Sequence, residues 1–528
     1  MLKQCQTFLV MRIICIGIIL MGLSIAEQAW SVTLPYDRTN PVIYDNDGAI
    51  ESGYTDVYIM ALASAGTISL KGIITTCSYG EEQRQPPFSP LAEVEVVRER
   101  QELIEKARRS GLRNIPDATP GPSISLKRPA SGRIEDTVPY KTPGGLLVVN
   151  EARKATSDRP LVIVMGGQAT CVVDAYLMDN SIADKMILAW IVGNKRSDGD
   201  VDSREYNAGV DPWATYIAFE KLRVVAFPFT NDGSASTPKS RLGELPDTEL
   251  RQTMMEARWP REQNTFSEPS ADYDAFGAFP LTRSDYVLQT KRVSFNHWEP
   301  APWDAQKQMP FFKADQNGKV LVAWDASSSV ATDEWWGRVK DPAAWGPSKG
   351  QIPFNDTPWM IPGTIEAEYF DHGGTGRAYM DNTNNFTKED WFNPIRFLEH
   401  VDILASDSAS NGYKVGRTEA GEWVEYTVNV VNAGAYTIDA CVASNGDGGA
   451  FHIEFDGADK TGSMNIPNTG GWNSWQVIAR SNVTLDAGVQ VMRLVMEGNG
   501  STGAIGDFDY IRLRNMDVPD DQDDDRGN

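Results

Sequence analysis

Two short stretches of this sequence crowd carboxylates together. Pro41-Val42-Ile43-Tyr44 is an apolar run that closes on Asp45-Asn46-Asp47-Gly48, and Asp56 then opens a helical stretch over 56–65. Like charges gathered at one strand terminus repel and are costly unless a cation binds them. Near the other end, Glu366 and Glu368 stand two residues apart on a strand, so both point to one face and need a counter-ion. The donors on offer are hard oxygens, and the chain has only four His, which suits calcium better than zinc. Each feature also has a plainer reading. Asp45 is then a turn cap, Glu51 a solvated loop group, and Glu366 and Glu368 a pair of solvated edge residues.

The elements that must position these residues fall into two regions. Over 36–342, short apolar runs at 41–44, 71–76, 161–165, 186–192 and 224–229 alternate with helical stretches. One helix opens at Ser89-Pro90, carries Leu91, Val94, Val97, Leu103, Ile104 and Ala107 at helical spacing, and ends at Gly111. Strand and helix in repetition predict an α/β domain with a mostly parallel sheet covered on both faces. Ligands in such sheets bind at the carboxyl ends of the strands. Residues 343–357, rich in Pro and Gly, read as a linker. Over 358–515 the period becomes two: Val424, Tyr426, Val428 and Val430 alternate with polar residues, as do Phe451, Ile453 and Phe455. That pattern predicts an all-β jelly-roll sandwich. Residues 516–528 form a solvated acidic tail.

At 528 residues the chain has room for two or three domains, and 41% hydrophobic with 23% charged residues is globular composition. A net charge of -23 argues against a nucleic-acid polymer as partner. Lys3 and Arg12, the apolar run 13–23 and the small residues Ser24-Ile25-Ala26 are laid out as a signal peptide over 1–26, the alternative being a retained membrane anchor. The expectation is a secreted or periplasmic protein with no membrane attachment after cleavage. Cys77, Cys171 and Cys441 then remain, an odd number and so no disulfide framework. Cys77 and Cys171 either pair or are two buried thiols. Trp298, Trp303, Trp335 and Trp336 either extend a sugar-binding groove or pack inside the protein.

Several segments of the last third resemble the family 6 carbohydrate-binding modules: Ile361-Pro362-Gly363-Thr364-Ile365-Glu366-Ala367-Glu368, Gly412-Tyr413-Lys414-Val415-Gly416, Gly421-Glu422-Trp423-Val424-Glu425-Tyr426, Pro467-Asn468-Thr469-Gly470-Gly471-Trp472 and Asp507-Phe508-Asp509-Tyr510-Ile511. The resemblance implies a structural calcium on Glu366, Glu368 and Asp509, and a polysaccharide or glycan as partner. It makes Trp472 the stacking platform of a loop-end cleft. Arg417 stands where the family has a second aromatic, and Asp507 where it has a sugar-binding Asn. Trp423 and Glu422 match a second, concave-face cleft that some members use.

The first region resembles the inosine/uridine-preferring nucleoside hydrolases. The resemblance rests on the Asp-rich strand end, on Gly72-Ile73-Ile74-Thr75-Thr76, on Gly166-Gly167-Gln168-Ala169-Thr170, on Glu205-Tyr206-Asn207 with Asp211-Pro212, and on Asp272-Tyr273-Asp274-Ala275-Phe276-Gly277. It implies a second calcium, on Asp47, Asp56, Asp274 and the Thr170 carbonyl. Asp47 would also be the base that activates water, with Glu205 and Asn207 holding sugar hydroxyls. Here Thr55 replaces the first of two adjacent Asp, Tyr79 an Asn, and Tyr273 a His. The expectation is an exported calcium-dependent glycosidase acting on a small glycoside or nucleoside and targeted to polysaccharide. The alternatives are a non-catalytic calcium- and carbohydrate-binding protein and an O-glycoside hydrolase acting on a polysaccharide.

Overall fold

The computed structural model describes residues 33–47, 54–76, 92–230, 233–257, 259–261, 265–267, 271–301, 306–382, 395–396 and 398–516. The signal-peptide stretch, Glu51, Cys77, Tyr79, the Ser89-Pro90 helix start, Trp303 and the acidic tail from 517 on lie outside them. None of the described helices is long and apolar enough to cross a membrane.

The N-terminal domain is built on β1 (Pro41–Asn46), α1 (Thr55–Ser64), β2 (Ser69–Thr75), α2 (Ala92–Arg109), β3 (Ala118–Pro120), α3 (Pro143–Lys154), β4 (Leu161–Met165), α4 (Thr170–Met178), β5 (Met186–Ile191), β6 (Asn194–Lys195), β7 (Val201–Asp202), α5 (Tyr206–Val210), α6 (Pro212–Lys221), β8 (Arg223–Phe227), α7 (Glu249–Glu256), β9 (Val287–Pro300), β10 (Gln308–Ala314), β11 (Val320–Ala326) and α8 (Ser328–Val339). One 11-stranded sheet runs in the order β3-β2-β1-β4-β5-β8-β11-β9-β10-β7-β6. From β3 to β11 the pairs are parallel. The rest are antiparallel, because β9 and β10 return as a hairpin beyond β11. The sheet is therefore mixed, with a parallel half where the acidic residues lie.

Alternation along β1 feeds both cores. Val42 and Tyr44 pack into one apolar layer with α1, α2 and α8, and Ile43 into the other with α3, α4 and α6. Trp335 and Trp336 are buried in the first layer and so do not line a groove. Trp298 is half-buried beside Tyr216, with ring centroids 5.2 Å apart. Strand order reverses between β1 and β4. Such a switch point opens a crevice at the carboxyl ends of the two strands.

The C-terminal sandwich comprises β12 (Gly363–Glu366), β13 (Tyr413–Val415), β14 (Trp423–Val430), β15 (Gly434–Ser444), β16 (Ala450–Phe455), β17 (Gly471–Leu485), β18 (Gly488–Gly498) and β19 (Asp507–Asn515), with short flanking strands. β14, β18 and β16 form one sheet; β13, β19, β15 and β17 form the other, and β12 pairs with β19. Tyr426, Phe451, Leu494 and Phe508 fill the space between the sheets.

Residues 343–357 pack against both domains. The Lys349 amide donates to the Arg109 carbonyl at 2.9 Å, and Phe354 stacks on Tyr369 at 4.6 Å. Beneath them lies a buried charge network. Lys106 Nζ donates to Glu399 Oε1 at 2.5 Å and Glu249 Oε1 at 3.4 Å, Arg109 reaches both Glu249 oxygens, and Arg396 Nε reaches Glu399 Oε2 at 2.6 Å. Buried charges persist only when paired this fully.

Candidate functional site

The acidic and amide residues that the sequence singles out in the N-terminal domain gather around the ends of β1 and β4. Asp45 is 2% exposed; its Oδ1 accepts from Thr76 Oγ1 at 2.6 Å and its Oδ2 has no partner. Burial pushes its carboxyl up to about 7, against the Thr76 hydrogen bond and the charge of Arg100. Asn46 faces the other core. Its Nδ2 donates to Tyr44 Oη at 2.7 Å and to Asp274 Oδ2 at 3.1 Å, and its Oδ1 accepts from the Asp47 amide at 2.9 Å. Asp47 itself is half-buried.

The loop after β4 needs its glycines. A Cβ on Gly166 would lie 2.5 Å from Asn46 Oδ1 and 2.8 Å from Asp274 Cβ, and one on Gly167 would lie 3.0 Å from Asp47 Cβ. Backbone therefore passes directly over the acidic residues. Across that loop, Asn207 Nδ2 donates to the Gly166 carbonyl at 2.7 Å and the Ile191 carbonyl at 3.0 Å, tying the ends of β4 and β5 together. Glu205 caps α5, taking the amides of Gly193, Asn207 and Ala208 at 3.1, 2.8 and 2.8 Å. Burial raises it to about 7 in spite of those donors. Thr170 opens α4 and donates its hydroxyl to Asp211 Oδ2 at 2.9 Å.

Asp47, Asp274 and Asn207 thus surround one glycine loop, Glu205 stands behind Asn207 as its helix cap, and Asp56 joins them through Tyr44, whose Oη donates to Asp56 Oδ2 at 3.3 Å. The calcium ion that the resemblance implies does not fit this cluster. Asp56 Oδ1 is ion-paired with Arg100, a guanidinium with no exposed surface. Asp274 Oδ2 meets an amide donor. Thr170 is the first residue of a helix, and its carbonyl lies along the helix axis. Tyr273, which stands where the resembling family has a His, is 38% exposed. Cys171 is a buried free thiol.

Arg100 lies outside every motif of the sequence, and Tyr44 and Asp272 lie inside motifs that give them no role. Asp272 is fully buried, accepts from Thr55 Oγ1 and from Trp335 Nε1 at 3.0 Å, and pins the start of α1. Arg100 carries a faint signal, since it falls on the apolar stripe of α2 at i−3, i−4 and i−7 from Leu103, Ile104 and Ala107.

In the sandwich, Glu366 and Asp509 share the Ser410 hydroxyl, at 2.5 and 2.9 Å. Glu368 is buried, accepts from Asn411 through Oε1, and leaves Oε2 without a partner. Burial, with the Glu366 and Asp509 charges, pushes Glu368 up to about 7. An orphan buried oxygen among hard donors fits a calcium ion. Among the described residues, the one trio with potential ligand atoms all within 4.8 Å is elsewhere: Glu249, His372 and Glu399. Lys106, Arg109 and Arg396 already neutralise those carboxylates.

Trp472 is half-buried at the start of β17, and Lys414 organises the floor beneath it. Lys414 Nζ donates to the Trp472 carbonyl at 2.8 Å, Asn473 Oδ1 at 3.0 Å and Asp507 Oδ2 at 2.6 Å. Asp507 is 3% exposed, so it braces the platform through Lys414 and presents little surface to a sugar. Arg417 Nη1 lies 3.6 Å from Asp402 Oδ1. Trp423 and Glu422 line a shallow cleft together with Asp402 and Thr418. Glu422 is held by the Asn382 and Glu419 amides, and the Arg493 guanidinium sits 4.3 Å over the Trp423 ring.

Residues 398–515 match the family model for carbohydrate binding module (family 6). A 68-residue stretch is 40% identical to beta-agarase AgaA of Microbulbifer thermotolerans, over 12% of this chain and 15% of the agarase. The chain thus aligns with only a small part of that relative's length. The carbohydrate binding module from Cellvibrio mixtus lichenase 5A, solved with cellotriose, is 25% identical over 29% of this chain and 98% of the module, with a TM-score of 0.22. A beta-1,3-glucan binding module from Bacillus halodurans is 22% identical over 30% of this chain and 99% of its own, with a TM-score of 0.23.

Proposed function

We propose that this chain is an exported protein that holds polysaccharide with its C-terminal family 6 carbohydrate-binding module and hydrolyses a glycosyl bond with its N-terminal domain. Asp47 carries the hydrolytic half of the reading. It is a half-buried carboxylate at the switch point of an α/β sheet, and Asn207 is fixed to the carbonyl of Gly166 in the same glycine loop, with Glu205 holding the Asn207 amide. Asp47 takes a proton from the attacking water as the water oxygen bonds to the anomeric carbon and the glycosyl bond breaks, the leaving group taking a proton from solvent. Asn207 spends its amide N–H groups on two carbonyls, which turns Oδ1 away from them as an acceptor for a sugar hydroxyl. A sugar ring stacks on Trp472. Calcium held by Glu366, Glu368 and Asp509 steadies the module, a role supported by the unpartnered Glu368 Oε2. Export rests on the 1–26 leader and on the polysaccharide partner.

The test is a panel of nucleosides and polysaccharides assayed for released base and reducing ends. Asp47→Asn should lower turnover at least about 100-fold while leaving glycan binding intact. Unchanged turnover sinks the proposal. A binding-only protein is the second reading, favoured by Glu205, whose oxygens serve three backbone amides as a helix cap. It predicts glycan affinity and no product from any member of the panel.

A further inference from the structure

Arg100 lies on the face of α2 that packs against the sheet, and its side chain is fully buried. Its Nη1 is ion-paired with Asp56 Oδ1, and its guanidinium carbon is 5.5 Å from the centroid of the Tyr44 ring. Tyr44 Oη donates to the other Asp56 oxygen and accepts from Asn46, whose amide also reaches Asp274. One cation, one phenol and one amide therefore link both of the outer carboxylates of the cluster.

We infer that Arg100 is the built-in cation of the N-terminal acidic site, supplying at Asp56 the positive charge that the resemblance assigns to calcium. A guanidinium stays charged at every pH at which the protein folds. A divalent ion on the same carboxylate would lie close to that charge in a site with little water, where repulsion is poorly screened. Arg100 and Asn46 hold Asp56 and Tyr44 without a metal, while Asp45 Oδ2 in the same cluster has no partner. This inference rests on packing and not on turnover, so it survives or fails separately from the hydrolytic reading.

The experiment uses the full chain carrying Glu368→Gln, which removes the carboxylate expected to hold calcium in the sandwich. Terbium luminescence and calcium titration should then show no saturable site. In the same background, Asp56→Asn strands a buried guanidinium and should lower Tm by roughly 10 °C. Adding Arg100→Met should recover most of that loss, because both charges are then gone. Saturable terbium binding that Asp47→Asn or Asp274→Asn abolishes would overturn the inference. So would an Asp56→Asn loss that Arg100→Met fails to rescue.

Discussion

In the first turn of α1 the carboxylate of Asp56 meets a buried guanidinium on one oxygen and a phenol on the other. At the β12 and β19 edge the carboxylate of Glu368 meets one Asn amide on one oxygen and nothing on the other. Both clusters are buried and acidic, yet among the described residues a basic side chain meets Asp56 and none meets Glu368. The difference teaches that a run of carboxylates does not by itself imply a metal. What matters is whether the fold brings a cation from elsewhere in the chain. α2 delivers one to Asp56 across 44 residues of sequence, whereas Glu368 is surrounded by Glu366, Asp509 and neutral donors.

The comparison breaks most visibly if single carboxylates are neutralised. Asp56→Asn should cost about 3–5 kcal/mol, read as the unfolding free energy of the N-terminal transition in urea, because Arg100 is left buried without its partner. Glu368→Gln should cost nothing in the absence of calcium, since it removes one of three mutually repelling charges. Equal losses at the two positions would erase the distinction.

Calcium gives the next largest effect. At a hundredfold excess over its Kd, calcium should stabilise the sandwich transition by about 2.7 kcal/mol and leave the N-terminal one in place. Chelation should reverse this, and Glu368→Gln should abolish it. A shift of the N-terminal transition would move the metal to the wrong cluster.

The two aromatic platforms of the sandwich repeat the contrast on a smaller scale. Arg493 covers Trp423, while Trp472 is braced from below through Lys414. Trp472→Ala should weaken glycan binding about tenfold, a typical value for losing one stacked ring, and Trp423→Ala should change it less. Calorimetry on a glucan series checks both, and the reverse ranking would place the sugar in the Trp423 cleft.

How much of this was legible beforehand depends on distance along the chain. Asp45, Asp47 and the Gly166-Gly167 loop are contiguous motifs, and the alternation of Tyr426 with its neighbours marks the sandwich face directly. The parallel half of the sheet followed from strand and helix in repetition, but the β9–β10 hairpin that makes the sheet mixed did not. Arg100 reaches Asp56 only in the folded chain; its one trace is a charge on an otherwise apolar helix stripe. Asp507 looked like a sugar contact because motif position says nothing about Lys414, 93 residues away, which claims it. The Trp335-Trp336 pair could not be assigned to core or groove until the partner of Trp335 Nε1, Asp272, was in place.

A third acidic position, between the domains, lets the contrast be tuned by pH. Glu249 and Glu399 are paired with Lys106, Arg109 and Arg396, but Glu256 beside them has Tyr379 Oη as its donor at 2.7 Å. Burial pushes Glu256 up to about 7; Tyr379, Lys106 and Thr375 pull it down and Glu399 pushes it further up, and the His400 ring meets its backbone carbonyl. The folded state therefore holds a proton that the unfolded chain has released above the ordinary carboxylate range. The contribution is fully present below that range and is lost as pH rises through 7. Domain docking should weaken by about 1–2 kcal/mol between pH 5 and pH 8. Glu256→Gln, neutral throughout, should flatten that slope without touching the Lys106 network. If the variant keeps the full slope in urea unfolding at both pH values, the proton sits elsewhere in the interface.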